Sequence, residues 1–294
     1  MKRPELLLAW PDEAALAQAL AAALNCPLAW VDSHRFPDGE SRLRLPPSLP
    51  AHTVLLRGLQ RANDRLAELL LVAAGSRELG AQRLSLVSPY LGYMRQDIAF
   101  TPGEVVSQRH IGSLLGTAFD AVLTVDPHLH RIQRLDEVLR GGVSLSAAPL
   151  LGQFVATQRP GALLLAPDGE AEQWVSAAGQ AADLEWAVCS KTRQGDRQVL
   201  IQLPPRSFAG RTVVLLDDVA SSGGTLIEAT RLLKAAGAAS VDVAVTHALF
   251  AQDAEARVRA AGVGQIWSTD CIAHPSNAVS IAPLLAQGLY IQSR

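Results

Sequence analysis

Residues Thr212 to Leu226 read TVVLLDDVASSGGTL, and no other stretch narrows the possible folds as far. Val213, Val214, Leu215 and Leu216 follow one another without polar alternation, which predicts a strand buried on both faces of a parallel sheet. The run ends in the carboxylate pair Asp217 and Asp218. A small turn, Ser221-Ser222-Gly223-Gly224-Thr225, comes next, and then a helix-periodic segment from Leu226 to Ala236 closed by Gly237. Strand, turn and helix together set a row of backbone N–H groups at a helix N-terminus. With the helix dipole behind them and no Cβ on either glycine to hold a ligand away, these groups suit a phosphate monoester. Standing alone, the same turn would read as an ordinary helix start capped by serine.

Two carboxylates beside a phosphate site need a hydroxylic or cationic group between them. A ribose with its 5-phosphate in the turn supplies that group, because its hydroxyls reach back to Asp217 and Asp218, which accept hydrogen bonds and help to hold Mg²⁺. At 294 residues the chain has room for two domains, and a boundary near Gly141-Gly142 divides it into 1–143 and 144–294. A hydrophobic fraction of 49%, a charged fraction of 18% and a net charge of −2 exclude a nucleic-acid coat and a membrane-surface protein. No apolar run approaches a membrane span, so a cytoplasmic protein is expected. Cys26, Cys189 and Cys271 lack the spacing of a zinc site or a disulfide framework and are expected as reduced thiols. The five tryptophans are expected in cores or interfaces, and His110, His247 and His274 as structural histidines.

Strands are expected at Leu6–Trp10, Leu28–Val31, Thr53–Leu56, Leu84–Val87 and Ala121–Val125. The helices between them run from Asp12 to Leu24, Asn63 to Leu79 and Ser107 to Phe119, with Asp12 and Asn63 near their caps. The segment Phe36-Pro37-Asp38-Gly39-Glu40 carries a proline-Asp-Gly turn signal, so Phe36 and Glu40 flank a tight reversal. Phe36 offers a flat face to a purine, and Asp38 and Glu40 can accept hydrogen bonds from its amine or from water on a metal. Arg95, Gln96 and Asp97 fall beyond the carboxyl end of a strand, where ligands bind in open α/β sheets. Asp126-Pro127-His128-Leu129-His130 sets two histidines beside an aspartate, in surroundings that favour Mg²⁺ over zinc.

The second half repeats the alternation, with strands at Ala162–Ala166, Leu184–Cys189, Val199–Leu203, Val241–Thr246 and Gln265–Ser268 and a last short helix near Val279–Leu285. Two successive α/β units of similar length suggest a duplicated architecture. Asp168, in Pro167-Asp168-Gly169-Glu170, is a strand-end carboxylate suited to a metal or a ribose. Lys191 and Arg193 sit in a connection that could close over a polyphosphate and neutralise charge in a transition state.

Taken in order, FPDGE (Phe36–Glu40), YMRQD (Tyr93–Asp97), VDPH (Val125–His128), APDGE (Ala166–Glu170), SKTR (Ser190–Arg193) and DDVASSGGT (Asp217–Thr225) resemble the ribose-phosphate pyrophosphokinase family. The resemblance implies an α/β fold of two phosphoribosyltransferase-like domains, each a mainly parallel sheet flanked by helices. It implies transfer of the diphosphoryl group of ATP to the 1-hydroxyl of ribose 5-phosphate, with Mg²⁺ as cofactor. Phe36, Asp38, Gly39 and Glu40, supplied by a neighbouring subunit of a homo-oligomer, would join Arg95, Gln96 and Asp97 in binding ATP. His128 and Asp168 match magnesium-associated positions, and Lys191 and Arg193 match a catalytic pair. Asp217, Asp218, Ser221, Ser222, Gly223, Gly224 and Thr225 match the ribose 5-phosphate loop. Ser221, where bacterial and animal members carry an acidic residue, is nearer the archaeal-type branch. Two other readings stay open: a phosphoribosyltransferase that consumes the activated sugar, and a homologue that binds nucleotides without catalysis.

Overall fold

The computed structural model describes residues 3–129, 131–194 and 198–292. The chain divides into two compact units, Met1–Leu145 with Ile281–Arg294, and Ser146–Ser280. The first unit contains β1 (Leu6–Ala9), α1 (Ala14–Leu24), β2 (Leu28–Trp30), β3 (Asp32–Arg35), β4 (Ser41–Arg44), β5 (His52–Leu56), α2 (Ala62–Glu78), β6 (Arg83–Val87), α3 (Ser107–Ala118), β7 (Ala121–Val125) and β8 (Gly142–Leu145). Six of its strands form a parallel sheet in the order β2-β1-β5-β6-β7-β8, and β3 and β4 form a separate antiparallel hairpin.

The second unit contains α4 (Ala148–Gln158), β9 (Leu163–Ala166), α5 (Glu172–Ala182), β10 (Trp186–Val188), β11 (Ser190–Gln194), β12 (Gln198–Gln202), β13 (Thr212–Ala220), α6 (Gly224–Ala235), β14 (Ser240–Ala248), α7 (Ala254–Ala260), β15 (Ile266–Thr269) and β16 (Asn277–Val279). Its parallel sheet has the order β10-β9-β13-β14-β15-β16, and β11 and β12 form the hairpin. Adding eight to each strand number of the first unit gives the order of the second. The two units are therefore copies of one topology, each with a hairpin inserted after its second strand.

The apolar run that predicted a doubly covered strand is β13. Val213 and Leu215 pack with Leu226 and Leu233 of α6 and Val258 of α7, while Val214 and Leu216 pack on the other face with Leu151, Val155 and Val175 of α4 and α5. Because both faces are covered by helices, apolar residues are required at successive positions.

Four local features differ from the sequence reading. The connection expected to carry Lys191 and Arg193 is a strand, β11, because its residues pair antiparallel with β12. Strands β8 and β16 were not expected; both are short edge strands with mixed burial, so neither carries a continuous apolar run. The last helix, α8 (Ala282–Gln292), starts and ends later than expected and belongs with the first unit. There the Tyr290 hydroxyl donates to the Leu24 carbonyl at 3.0 Å, and a Cβ on Gly288 would come within 2.8 Å of the Leu145 side chain. Asp12 and Asn63 make no helix caps. The chain at Pro11–Glu13 forms a 3₁₀ turn, Arg61 takes the cap position of α2 with φ 65°, and the Tyr93 hydroxyl donates to the Asn63 side chain.

Asp12 instead joins an ion cluster with the loop after β5. Arg57 pairs with Asp12 at 2.6 Å, Arg65 pairs with Asp12 at 2.8 Å, and the Gly58 N–H donates to Glu13 Oε1 at 2.6 Å. This loop is the first unit's counterpart of the loop after β13, and it carries Arg57 and Gly58 where the second unit has Asp217 and Asp218. Burial lifts the Glu13 carboxyl to about 7, against the pull of the Gly58 N–H, Arg57 and Arg65. The folded chain then holds a proton that the unfolded chain has released, so the stabilisation from this group is complete below the unfolded value and lost as pH rises through about 7. Glu13→Gln, neutral throughout, is expected to gain about 2.5 kcal/mol on the wild type between about pH 5 and about pH 8, read by denaturant unfolding. An unchanged difference between the two pH values contradicts this.

Candidate active site

The loop after β13 is built as its sequence implies. Gly223 takes φ 73°, in the left-handed region, and Gly224 begins α6. The carbonyls of Ala220, Ser221 and Ser222 accept hydrogen bonds from Phe250 N, Ala251 N and Arg257 Nη2 at 2.9, 3.1 and 2.9 Å, and the Gly223 carbonyl accepts the first helical bond from Ile227 N at 2.9 Å. In a trans peptide the N–H points opposite its C=O, so the N–H groups of Ser221, Ser222, Gly223 and Gly224 are all turned to the other side. Among the described residues nothing accepts from the N–H groups of Ser221, Ser222 or Gly223, and those of Gly224 and Thr225 belong to a helix turn that no intrahelical carbonyl reaches. Ser222 and Gly224 are exposed there. The row of free donors inferred from sequence is therefore present and fixed from behind.

Three carboxylates lie along neighbouring strands: Asp217 and Asp218 in the last residues of β13, and Asp168 just after β9. Asp218 is 2% exposed, and Asp168 is 7% exposed. Lys191 Nζ donates to Asp168 Oδ2 at 3.0 Å, and Asp168 Oδ1 accepts from the Glu170 N–H at 3.1 Å. The Asp217 carboxyl is pushed well above the usual range, first by burial and then by the charges of Asp218 and Asp168. Lys191 reaches Asp168, and the crowding of Asp168, Asp217 and Asp218 that lifts the Asp217 carboxyl makes an acidic environment that favours a cation. Cys189, just before β11, is buried and its thiol is pushed up to about 12 by burial and by Asp168, so it stays protonated. Arg193 lies on β11; its side chain is outside the described residues.

In the first unit, the β3–β4 hairpin turns at the expected place. Phe36 N donates to the Glu40 carbonyl at 2.8 Å, Gly39 N donates to the Phe36 carbonyl at 2.9 Å, and Gly39 has φ 94°. Asp38 Oδ1 accepts from the Glu40 N–H at 3.1 Å. Phe36 is 41% exposed, with its ring edge-on to His34 at 5.0 Å. A large aromatic left this exposed at a hairpin tip has apolar surface to offer to a partner.

The 95–97 segment follows β6 as expected. Arg95 is exposed, Gln96 donates to the Ile98 carbonyl at 3.0 Å, and buried Asp97 pairs with Arg131 at 2.6 Å. Asp97 is thus tied through Oδ1 to a guanidinium from the segment after β7, while its Oδ2 makes no hydrogen bond among the described residues. A cavity of about 460 Å³ lies beside this segment, lined among others by Arg61, Asn63, Tyr90 and Tyr93. His128 is half-buried beyond β7, and His130 lies outside the described residues. Among the described residues no three histidine, cysteine or acidic side chains converge as a ready-made metal site. His247, on β14, is 2% exposed. Sequence reading gave no role to Arg257, whose contact with the loop spans 35 residues and has no local signature.

Residues 6–118 match the family described as the N-terminal domain of ribose phosphate pyrophosphokinase, and residues 153–266 match the phosphoribosyl transferase domain. The ribose-phosphate pyrophosphokinase of Methanopyrus kandleri is 34% identical over 97% of this chain and 98% of its own length. That of Halobacterium salinarum is 33% identical over 97% of this chain and 100% of its own. The crystal structure of phosphoribosylpyrophosphate synthetase from Mycobacterium smegmatis superposes with a TM-score of 0.83 at 26% identity, covering 97% of this chain and 98% of that one. Two copies of one α/β topology, the six motifs in order and full-length relatives lead to one conclusion: the chain belongs to the ribose-phosphate pyrophosphokinase family.

Proposed function

We propose that the protein transfers the β,γ-diphosphoryl group of ATP to the 1-hydroxyl of ribose 5-phosphate, giving phosphoribosyl pyrophosphate and AMP. The observation that carries this reading is the second unit's loop, whose free N–H row ends beside Asp217, Asp218 and the Lys191–Asp168 pair. The 5-phosphate sits on the N–H groups of Ser221 to Thr225, with the Ser221, Ser222 and Thr225 hydroxyls as further donors. The ribose hydroxyls donate to Asp217 and Asp218. The 1-hydroxyl oxygen attacks the β-phosphorus in line, the bond from that phosphorus to the oxygen shared with the α-phosphate breaks, and that oxygen leaves on AMP.

Lys191 neutralises charge on the phosphoryl oxygens as it builds up, together with Arg193. Asp168 holds the Lys191 ammonium in place before substrate arrives. Mg²⁺, held by strand-end carboxylates such as Asp168, with His128 a second candidate, would supply further charge neutralisation when bound. Arg95, Gln96 and Asp97 bind ATP, and Phe36, Asp38, Gly39 and Glu40 complete that site from a second copy in a cytoplasmic homo-oligomer. Exposure of the Phe36 ring at the hairpin tip supports this.

Purified protein supplied with ATP, Mg²⁺ and ribose 5-phosphate is expected to release AMP and phosphoribosyl pyrophosphate in equal amounts. AMP formation only when a base and phosphoribosyl pyrophosphate are supplied would indicate a phosphoribosyltransferase instead. Mixing Phe36→Ala with Lys191→Ala tests the shared site. Re-assembled mixtures are expected to regain part of the activity that each variant has lost, and no recovery contradicts donation from a second copy.

A further inference from the structure

Helix α7 lies behind the phosphate loop and touches it at two places. A Cβ on Gly223 would come within 2.7 Å of Val258 Cγ2, so the loop backbone rests directly on the helix. Arg257, one residue earlier, donates from Nη2 to the Ser222 carbonyl at 2.9 Å, and its Nε pairs with Asp253 Oδ1 at 3.1 Å. Of the carbonyls of Ala220, Ser221, Ser222 and Gly223, three are anchored by backbone N–H groups. Only the Ser222 carbonyl is held by a side chain.

The orientation of that carbonyl decides where the Gly223 N–H points, because the two belong to one planar peptide. Gly223 would otherwise let this peptide turn, since a glycine occupies several backbone regions at little cost. A guanidinium on the carbonyl also polarises the peptide and strengthens its N–H as a donor. The rest of α7 is held independently of this contact: Glu255 reaches His274 Nε2 at 3.5 Å, and the His274 ring packs on Phe250 with centroids 5.2 Å apart.

We infer that Arg257 is a positioning residue for ribose 5-phosphate: by gripping the Ser222 carbonyl it aims the Gly223 N–H at the 5-phosphate. This rests on the reading that the Ser221–Thr225 loop takes that phosphate. Arg257 touches no reacting atom, so its removal changes substrate capture and leaves the chemical step in place.

The test compares steady-state constants and ribose 5-phosphate titration calorimetry for wild type, Arg257→Met, Arg257→Lys and Asp253→Asn. Arg257→Met keeps the apolar stem and helix propensity but no donor. It is expected to raise KM and Kd for ribose 5-phosphate about tenfold, the scale of one lost hydrogen bond to a charged group. KM for ATP and kcat stay within about twofold. Arg257→Lys, retaining a charged donor, recovers most of the loss, and Asp253→Asn, which breaks only the ion pair on α7, changes neither constant. Wild-type ribose 5-phosphate binding in Arg257→Met overturns the inference, as does an equal loss in Asp253→Asn. Gly223→Val, measured alongside, separates this from the loop reading. If it loses ribose 5-phosphate while Arg257→Met does not, the loop reading stands and the role of Arg257 falls. If Gly223→Val also binds normally, the loop reading itself fails.

Discussion

Replacing Lys191 with alanine is expected to lower kcat by about 10²- to 10³-fold, the usual consequence of losing one preorganised charge-stabilising group. KM for ribose 5-phosphate should hold within a few-fold, because the loop at Ser221–Thr225 is untouched. Folding should hold as well. The Lys191 side chain is 29% exposed, and the loss of its pair with Asp168 leaves that carboxylate the Glu170 N–H as a partner. The variant leaves Asp168 without its lysine partner, so its Mg²⁺ requirement is expected to shift to lower concentration. Measurements of kcat, KM and thermal unfolding separate the outcomes. A kcat near wild type would reduce Lys191 to a structural partner of Asp168.

The second large effect is expected at Gly223. Its φ of 73° lies where a side chain is strained, and a Cβ there would meet Val258 Cγ2 at 2.7 Å. Valine adds both penalties: left-handed strain of about 1–2 kcal/mol and overpacking of about 1–3 kcal/mol. The loop can relieve them only by lifting away from α7, which breaks the Arg257–Ser222 contact and scatters the N–H row. Gly223→Val should therefore lose at least about a hundredfold in kcat/KM for ribose 5-phosphate. Unfolding of the remaining domain should stay cooperative. A variant with wild-type kcat/KM would show that the loop does not need this geometry.

Part of this was legible in sequence: the glycine turn is a local pattern, whereas the Val258 contact behind Gly223 and the Lys191–Asp168 pair join residues far apart in the chain. The doubly buried strand, the glycines at the turn, the reversal at Phe36–Glu40 and the close of α6 at Gly237, with φ 83°, all follow from neighbouring residues. What sequence did not reveal depends on residues far apart in the chain. The pairing of Asp12 and Glu13 with Arg57 and Arg65 joins residues 45 to 53 positions apart, and it replaced the expected helix cap because the buried Arg57 and partly buried Arg65 guanidinium groups need carboxylates more than an exposed helix start does. Helix α8 joins the first unit because its partners, Leu24, Leu123 and Leu145, lie there. Edge strands β8 and β16 are too short and too mixed in burial to show a period.

Duplication was suggested by the alternation of elements, but its extent needed the strand order. Once the two sheets are matched, the chemistry divides between the copies. The second keeps acidic residues and glycines after its central strand, while the first has Arg57 and Gly58 at the matching point, with Glu13 bonded to the Gly58 N–H. A carboxylate already seated on that N–H, with no Gly-Gly turn behind it, makes the first copy unsuited to a second sugar phosphate. The two copies of one fold thus carry different halves of the proposed reaction.

The measurement that tests diphosphoryl transfer most directly follows label from ATP. Two reactions with ribose 5-phosphate and Mg²⁺ are run, one with ATP labelled at the β-phosphorus and one with ATP labelled at the γ-phosphorus. Both labels are predicted to appear in the sugar product, with the nucleotide recovered as unlabelled AMP. Transfer of the γ label alone, with the β label retained in ADP, would contradict the account, since it would mean that the chain moves a single phosphoryl group.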